Sequence, residues 1–238
     1  MRIKRVAIAP NPRKRWAHSL ARELHAFLAE RGISVTHARQ HADLLITIGG
    51  DGTILHEKRH SELPIFGIGS ETSFVCQARR DNWRPILSKA LARPRVDPRA
   101  QLASALNGRQ LEDAMNEVFI RNSDHRVLTF DLRVNGRKFH FTADGVIFST
   151  PTGSTAYAYS AGGFELKPSS RKFEVVALAP YRRAFKPLVV REGARCKLIV
   201  RTKQPAIAVI DGQFCHVLKP GVNTLVVKKS KRSVRLLR

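Results

Sequence analysis

The apolar positions of this chain follow two grammars. In the first hundred residues, short all-apolar runs alternate with helical periodicity. RVAIAP reads as a strand closed by Pro10 and Pro12. WAHSLARELHAFLAERG then places Trp16, Leu20, Leu24, Phe27 and Leu28 at helical spacing, with Gly32 as the stop. ISVTHA and ADLLITIGG predict two more strands, the second apolar on both faces as a central parallel strand is. TILHEKRH predicts a helix with Thr53 near its start, PIFGIG a fourth strand, and WRPILSKALAR a helix before a Pro/Arg-rich linker. Such alternation predicts a parallel α/β layer.

Beyond about residue 100, polar and apolar residues alternate in QLASALNGRQLEDAMNEVFIRN, RVLTFDLRVNGRKFHFTADGVIFST and FEVVALAP. Asn107-Gly108 and Asn135-Gly136 sit between alternating runs, a strong hairpin signal. The expected fold class is therefore α/β, with a Rossmann-like N-terminal domain (1–100), an antiparallel β-rich domain (101–225) and a basic tail (226–238) packing back on the first domain.

Composition narrows the function. Lysine and arginine number 42 against 19 acidic residues, a formal net charge of +23. That balance favours anionic partners such as nucleotides, polyphosphate or nucleic acid. Clusters at Arg13–Arg15, Arg79–Arg84, Arg93–Arg99, Arg182–Arg183 and Lys228–Arg238 spread the charge between apolar strands, which equally describes a solvated surface. Two Trp and three Tyr leave few residues for base stacking, and no RNA-recognition or zinc-finger signature occurs. No apolar run approaches the roughly 18–20 residues of a membrane helix. MRIKRVAIAP lacks the long apolar stretch of a secretory leader. Three cysteines without CxxC spacing predict a reducing, cytoplasmic setting.

Two stretches carry candidate chemistry. GGDGT (Gly49–Thr53) follows a buried strand. Gly49, Gly50 and Gly52 permit a tight turn whose N–H groups, with a helix start at Thr53, can face phosphate oxygens. Asp51 stands at its mouth. An ordinary glycine turn with a solvated Asp is the competing reading. TPTGSTAYAYSAGG (Thr150–Gly163) is dense in hydroxyls, from Thr150, Thr152, Ser154, Thr155 and Ser160. Gly153, Gly162 and Gly163 allow close approach, and Tyr157 offers a ring. Its competing reading is a plain surface loop.

GGDGT, Asn116-Glu117, DGVIFSTPTGSTAYAYSAGG and the VIDGQ run at Asp211-Gly212-Gln213, in that order, resemble the NAD kinase family from about residue 43 to the C-terminus. GGDGT alone is shared with diacylglycerol, sphingosine and phosphofructokinase-type enzymes; TPTGSTAY followed by SAGG is far more specific. The resemblance implies phosphoryl transfer from ATP, or polyphosphate in some members, to the 2′-hydroxyl of the adenosine ribose of NAD. It implies an N-terminal α/β and a C-terminal β-rich domain, and a homodimer or homotetramer.

By the same resemblance Asp51 is the base or orienting carboxylate, with Gly52 beside it. Asn116 and Glu117 hold the ribose and adenine side. Asp144, Thr155, Ala156, Tyr157 and Ser160 contact the rest of the dinucleotide, Phe74 walls the adenine, and Gln213 adds a contact. With no dense carboxylate cluster in view, Mg²⁺ or another divalent ion is expected to travel with the nucleotide, outside any protein cage. The chain departs from the family at Gly67–Val75, which is shorter and lacks the usual Asn, and at Pro180–Pro187, where Tyr181, Arg182 and Arg183 replace a His. Other classes compatible with the residues are a kinase of another hydroxyl substrate, and a basic nucleotide- or RNA-binding protein without catalysis.

Overall fold

The computed structural model describes residues 2–124 and 126–238. Backbone contacts divide the chain into two units, Met1–Pro98 with Val234–Arg238, and Arg99–Ser233.

In the first unit the elements are β1 (Arg5–Pro10), α1 (Arg15–Ala29), β2 (Ser34–Val35), β3 (Leu44–Ile48), α2 (Asp51–Glu57), β4 (Ile65–Gly69), β5 (Ala78–Arg79) and α3 (Trp83–Ala92). The strands pair in parallel, in the order β2-β1-β3-β4-β5. All five residues of β3 and of β4 are buried, which explains their unbroken apolar runs. The helical spacing of α1 places Ala17, Leu20, Leu24, Phe27 and Leu28 in the core, and Phe27 meets Trp83 of α3 edge-on at 5.0 Å. Each fully buried leucine of this face contributes roughly 1.5–3 kcal/mol. The second strand is shorter than its sequence suggests. Thr36 still donates its N–H to Val6 O, but the chain then leaves the ladder, and the Thr36 hydroxyl accepts the Ala38 N–H, a local bond that competes with pairing.

The second unit holds β6 from Arg99 onward (Val96–Leu106 in all), then β7 (Arg109–Gln110), β8 (Glu117–Asn122), β9 (Leu128–Val134), β10 (Arg137–Ala143), β11 (Gly145–Ser149), α4 (Tyr157–Ser160), β12 (Lys172–Leu178), β13 (Leu188–Arg191), β14 (Arg195–Thr202), β15 (Ala206–Ile210), β16 (Phe214–Leu218) and most of β17 (Gly221–Leu237). Two antiparallel sheets, β10-β9-β14-β17 and β13-β12-β11-β8-β15-β16, share one core that includes Phe130, Leu132, Leu198, Val146, Phe148 and Val175. The turns at Asn107-Gly108 and Asn135-Gly136 have positive φ at both residues, as a type I′ hairpin requires. Residues 226–237 belong to β17: the strand pairs with β14 up to Lys228, and Leu236 pairs with Ile65.

Candidate functional site

In the first unit, the chain leaves β3 through Gly49 and Gly50, at φ +154° and +124°. A Cβ on Gly49 would sit 2.5 Å from Asn11 Cβ and from Thr53 Oγ1, so only glycine lets the loop after β1 lie this close. Asn11 Nδ2 donates to Thr53 Oγ1 at 3.2 Å, and Lys14 Nζ donates to the Gly49 carbonyl. The Gly49 N–H is spent on Ile68 O at 2.9 Å and the Thr53 side chain is buried. Neither group is thus directed at solvent, unlike the phosphate-facing role their sequence suggests. The helix begins at Asp51, two residues earlier than expected. Asn11 and Lys14 escaped the sequence reading, although Asn-Pro-Arg-Lys directly after an apolar strand marks a loop at the same sheet edge.

Asp51 is half-buried and its carboxylate gathers three successive amides. Oδ2 accepts the Phe74 N–H at 2.7 Å; Oδ1 accepts those of Val75 and Cys76, each at 3.0 Å. An ionised carboxylate offers about four lone-pair sites. The Cys76 thiol hydrogen-bonds the same carboxylate. The Phe74 ring is 84% exposed. Burial, then the Asp51 carboxylate, pushes the Cys76 thiol far above its ordinary range, so it is no nucleophile here.

In the second unit, Asn116 and Glu117 open β8. Their backbone is held by Asp211, whose carboxylate accepts the N–H groups of Met115 (3.0 Å), Asn116 (2.7 Å) and Glu117 (3.3 Å). Asp211 N–H donates in return to Glu117 O at 3.0 Å. Glu117 is 8% exposed. Burial raises its carboxyl to about 7, and the Asp211 charge adds to the rise. Among the described residues, Glu117 Oε2 and Asn116 Oδ1 have no hydrogen-bond partner. These are two buried acceptors in adjacent residues, which is how a protein awaits ligand hydroxyls or amines.

The stretch from Thr150 closes over them. A Cβ on Gly153 would lie 2.2 Å from Asn116 O. The Thr150 hydroxyl donates to Met115 O, and Ser154 Oγ donates to Pro151 O at 2.9 Å while accepting Leu166 N–H at 2.9 Å. These hydroxyls build the loop, so the reading of them as ligand donors gives way to a structural role. Thr155, Tyr157 and Ser160 are exposed and Ala156 half-buried; Tyr157 meets Phe119 edge-on at 5.3 Å. Beneath the loop lies Glu174, fully buried, which accepts Phe164 N–H at 2.8 Å and which sequence reasoning missed. A Cβ on Gly163 would fall 2.9 Å from both its oxygens, so glycine there lets the loop settle.

Asp144 is exposed where the chain enters β11. Gln213 is exposed in the turn that carries Asp211, its N–H donating to Ile210 O. In the altered segment, Arg182 and Arg183 have φ of +51° and +55°, left-handed backbone that non-glycine residues seldom adopt.

Among the described residues, no group of three or more His, Cys, Asp or Glu could hold a metal ion, and no helix is long and apolar enough to cross a membrane.

Residues 115–238 match the ATP-NAD kinase C-terminal domain. The chain is 35% identical to an NAD kinase of Methanocorpusculum labreanum over 194 residues, which is 79% of this chain and 71% of that one. It is 34% identical to an NAD kinase of Methanoculleus marisnigri over 91% of this chain and 86% of that one. With an NAD kinase of Koribacter versatilis it shares 30% identity over 99% and 93%. Two solved structures share the fold. One is an NAD kinase from Archaeoglobus fulgidus in complex with ATP, at TM-score 0.82 and 24% identity, covering 98% of this chain and 93% of that one. The other is a yeast NADH kinase complexed with NADH, at TM-score 0.87 and 20% identity, covering 99% and 83%. On these matches the chain belongs to the NAD kinase family, enzymes that phosphorylate NAD to NADP.

Proposed function

We propose that Asp51 Oδ2 receives the proton of the 2′-hydroxyl of the adenosine ribose of NAD while that oxygen takes a phosphoryl group from ATP. The observation that carries this reading is the half-buried Asp51 carboxylate, fixed in place by three successive amides at the mouth of the glycine turn. A ribose hydroxyl is a weak nucleophile at neutral pH, so catalysis rests on in-line positioning, charge neutralisation and a well-placed base. The three amides supply the positioning. Asn116 and Glu117, each with an unpartnered buried oxygen, are the proposed contacts for the ribose and adenine of NAD. The ring of Tyr157 packs on the dinucleotide, with Thr155, Ala156 and Ser160 beside it.

The donor phosphates fall to the turn at Gly50 and Gly52, with Lys14 as their counter-charge. Asp51 is the only carboxylate of that turn and spends most of its capacity on amides. A divalent ion such as Mg²⁺ is therefore proposed to be held through the donor's own phosphates, whose negative oxygens it neutralises when bound. The proposed assembly is the homodimer or homotetramer of the family. The proposed setting is the cytoplasm, in keeping with three cysteines that are all free thiols.

The test is NADP formation from NAD, ATP and Mg²⁺ by the purified protein and by Asp51→Asn. A base role predicts a loss of about two to four decades in kcat with NAD affinity changed by only a few-fold. Near-normal kcat in the variant would remove the base role. Replacing ATP by polyphosphate, and NAD by NADH, assigns donor and acceptor.

A further inference from the structure

The outward face of the sheet β10-β9-β14-β17 is patterned against its own stability. Strand register sets Lys138 opposite Arg133 and Arg133 opposite Lys197, and two residues along, Arg195 opposite Lys228. All five are exposed, and none makes an ion pair or a side-chain hydrogen bond among the described residues. Like charges directly opposite each other across strands destabilise a sheet. The one carboxylate facing outward from these paired strands, Asp131, is held by His140 and Arg201.

The pattern continues round the adjacent edge. There a cleft of about 670 Å³ is lined by Asn135, Arg171, Lys172, Arg191, Glu192 and Ala194. Lys172 and Arg191 are again direct cross-strand partners. Glu192, the single acid of the cleft, is neutralised by Arg171 and Lys229. Asn135 lies in the turn that joins Arg133 to Lys138, and Ala194 precedes Arg195, so the cleft adjoins the end of the sheet that carries the array.

A cation row at cross-strand intervals of about 4.8 Å, with a second row about 6.8 Å further along the strands, is a two-dimensional array of positive charge. The outward positions of these strands carry no Phe, Tyr or Trp, and their one imidazole, His140, is tied to Asp131, so the array offers no platform for unstacked bases. Proteins that bind single strands use such platforms; those that hold a duplex by its backbone do not need them. We propose that this surface binds the phosphodiester backbone of a nucleic-acid duplex, without base readout, as a second activity beside the kinase reaction. The residues that repel one another in the free protein are relieved when phosphates enter between them.

The test is titration of a labelled RNA duplex against the full-length protein over a range of salt, read by fluorescence anisotropy. Engagement of about five phosphates predicts a slope of about −4 in log affinity against log salt. The triple variant Arg133→Ser, Lys197→Ser and Lys228→Ser is expected to lower that slope by about 3 and to weaken binding about tenfold or more at low salt. Its NADP formation is expected to stay at the wild-type rate, which also shows that it folds. A control with the same net charge, Arg2→Ser, Arg22→Ser and Arg93→Ser, is expected to keep the wild-type slope. Equal loss in the control would reduce the effect to net charge and overturn the proposal. So would tighter binding of the single strand than of the duplex. Displacement of the duplex by inorganic polyphosphate at a lower phosphate concentration would overturn it too, assigning the surface to that polyanion.

Discussion

Asp51 and Asp211 solve one problem in two environments. Each folds a carboxylate around three consecutive backbone amides, Phe74 to Cys76 for one and Met115 to Glu117 for the other. Each thereby fixes a segment that the functional reading needs. The environments differ. Asp211 is 3% exposed in a turn with φ +52°, while Asp51 is half-buried at a helix start. A buried clamp gives rigidity; a half-buried one leaves its carboxylate within reach of a ligand. Removing the charge from Asp211 should therefore cost stability, and removing it from Asp51 should cost turnover.

The largest expected effect on stability comes from Asp211→Asn. The amide nitrogen then faces the buried Met115 N–H, donor against donor, and two charge-assisted bonds weaken. An unsatisfied buried donor costs about 1–3 kcal/mol and the weakened bonds add to it. A total of about 3 kcal/mol lowers Tm by roughly 6–12 °C in a chain of this size. Asp51→Asn creates the same conflict at Phe74, but with water at hand, so its stability cost is expected near 1 kcal/mol. Calorimetry on both variants checks the contrast; equal Tm losses would break it.

Next comes the pH dependence that burial, with the Asp211 charge added to it, imposes on Glu117. The Glu117 carboxyl sits at about 7 when folded, against an ordinary value of 4.5. Between those values the folded protein holds a proton that the unfolded chain has released. Stability thus falls as pH rises from about 4.5 to about 7, and the cost is complete above that. The rise from 4.5 to about 7 corresponds to roughly 3 kcal/mol. Glu117→Gln keeps the shape and does not titrate. Its Tm relative to wild type is expected to climb between about pH 5 and about pH 8. The climb should shrink in the Asp211→Asn background, because the Asp211 charge contributes to the rise. A pH-independent difference would show Glu117 to be ionised throughout.

The same pair of aspartates shows what could be seen in the chain alone. Asp51 was legible because glycines surround it and a fully apolar strand precedes it, and both features are local. Its capture of Phe74, Val75 and Cys76 was not, since nothing in residues 70–76 marks their amides as needing an acceptor. Asp211-Gly212 reads locally as a hairpin turn, and that is correct. Its second task lies 94 to 96 residues away and leaves no periodic trace. The α/β and β grammars were legible because burial on two faces or one writes itself into every second or fourth residue. The hydroxyls of Thr150 and Ser154 were misread for the converse reason: a Thr that caps its own loop and a Thr that meets a ligand have the same composition.

The smallest expected effect belongs to Tyr157, and it tests whether the second unit pairs a rigid clamp with a ligand-facing surface. The side chain is 43% exposed and its main protein contact is the edge-on Phe119. Loss of that contact in Tyr157→Ala costs about 1 kcal/mol of stability. If the ring packs on the dinucleotide, KM for NAD should rise about tenfold while KM for ATP stays near wild type, because a ring lost from a ligand face removes roughly that share of binding. If the Asp211 clamp and the Tyr157 ring act independently, the Asp211→Asn and Tyr157→Ala effects on Tm add. A rise in both KM values together with a Tm loss well beyond 1 kcal/mol would make Tyr157 a core residue. The ligand-facing surface would then be confined to Asn116 and Glu117, whose backbone is held by Asp211 and by the Thr150 loop together.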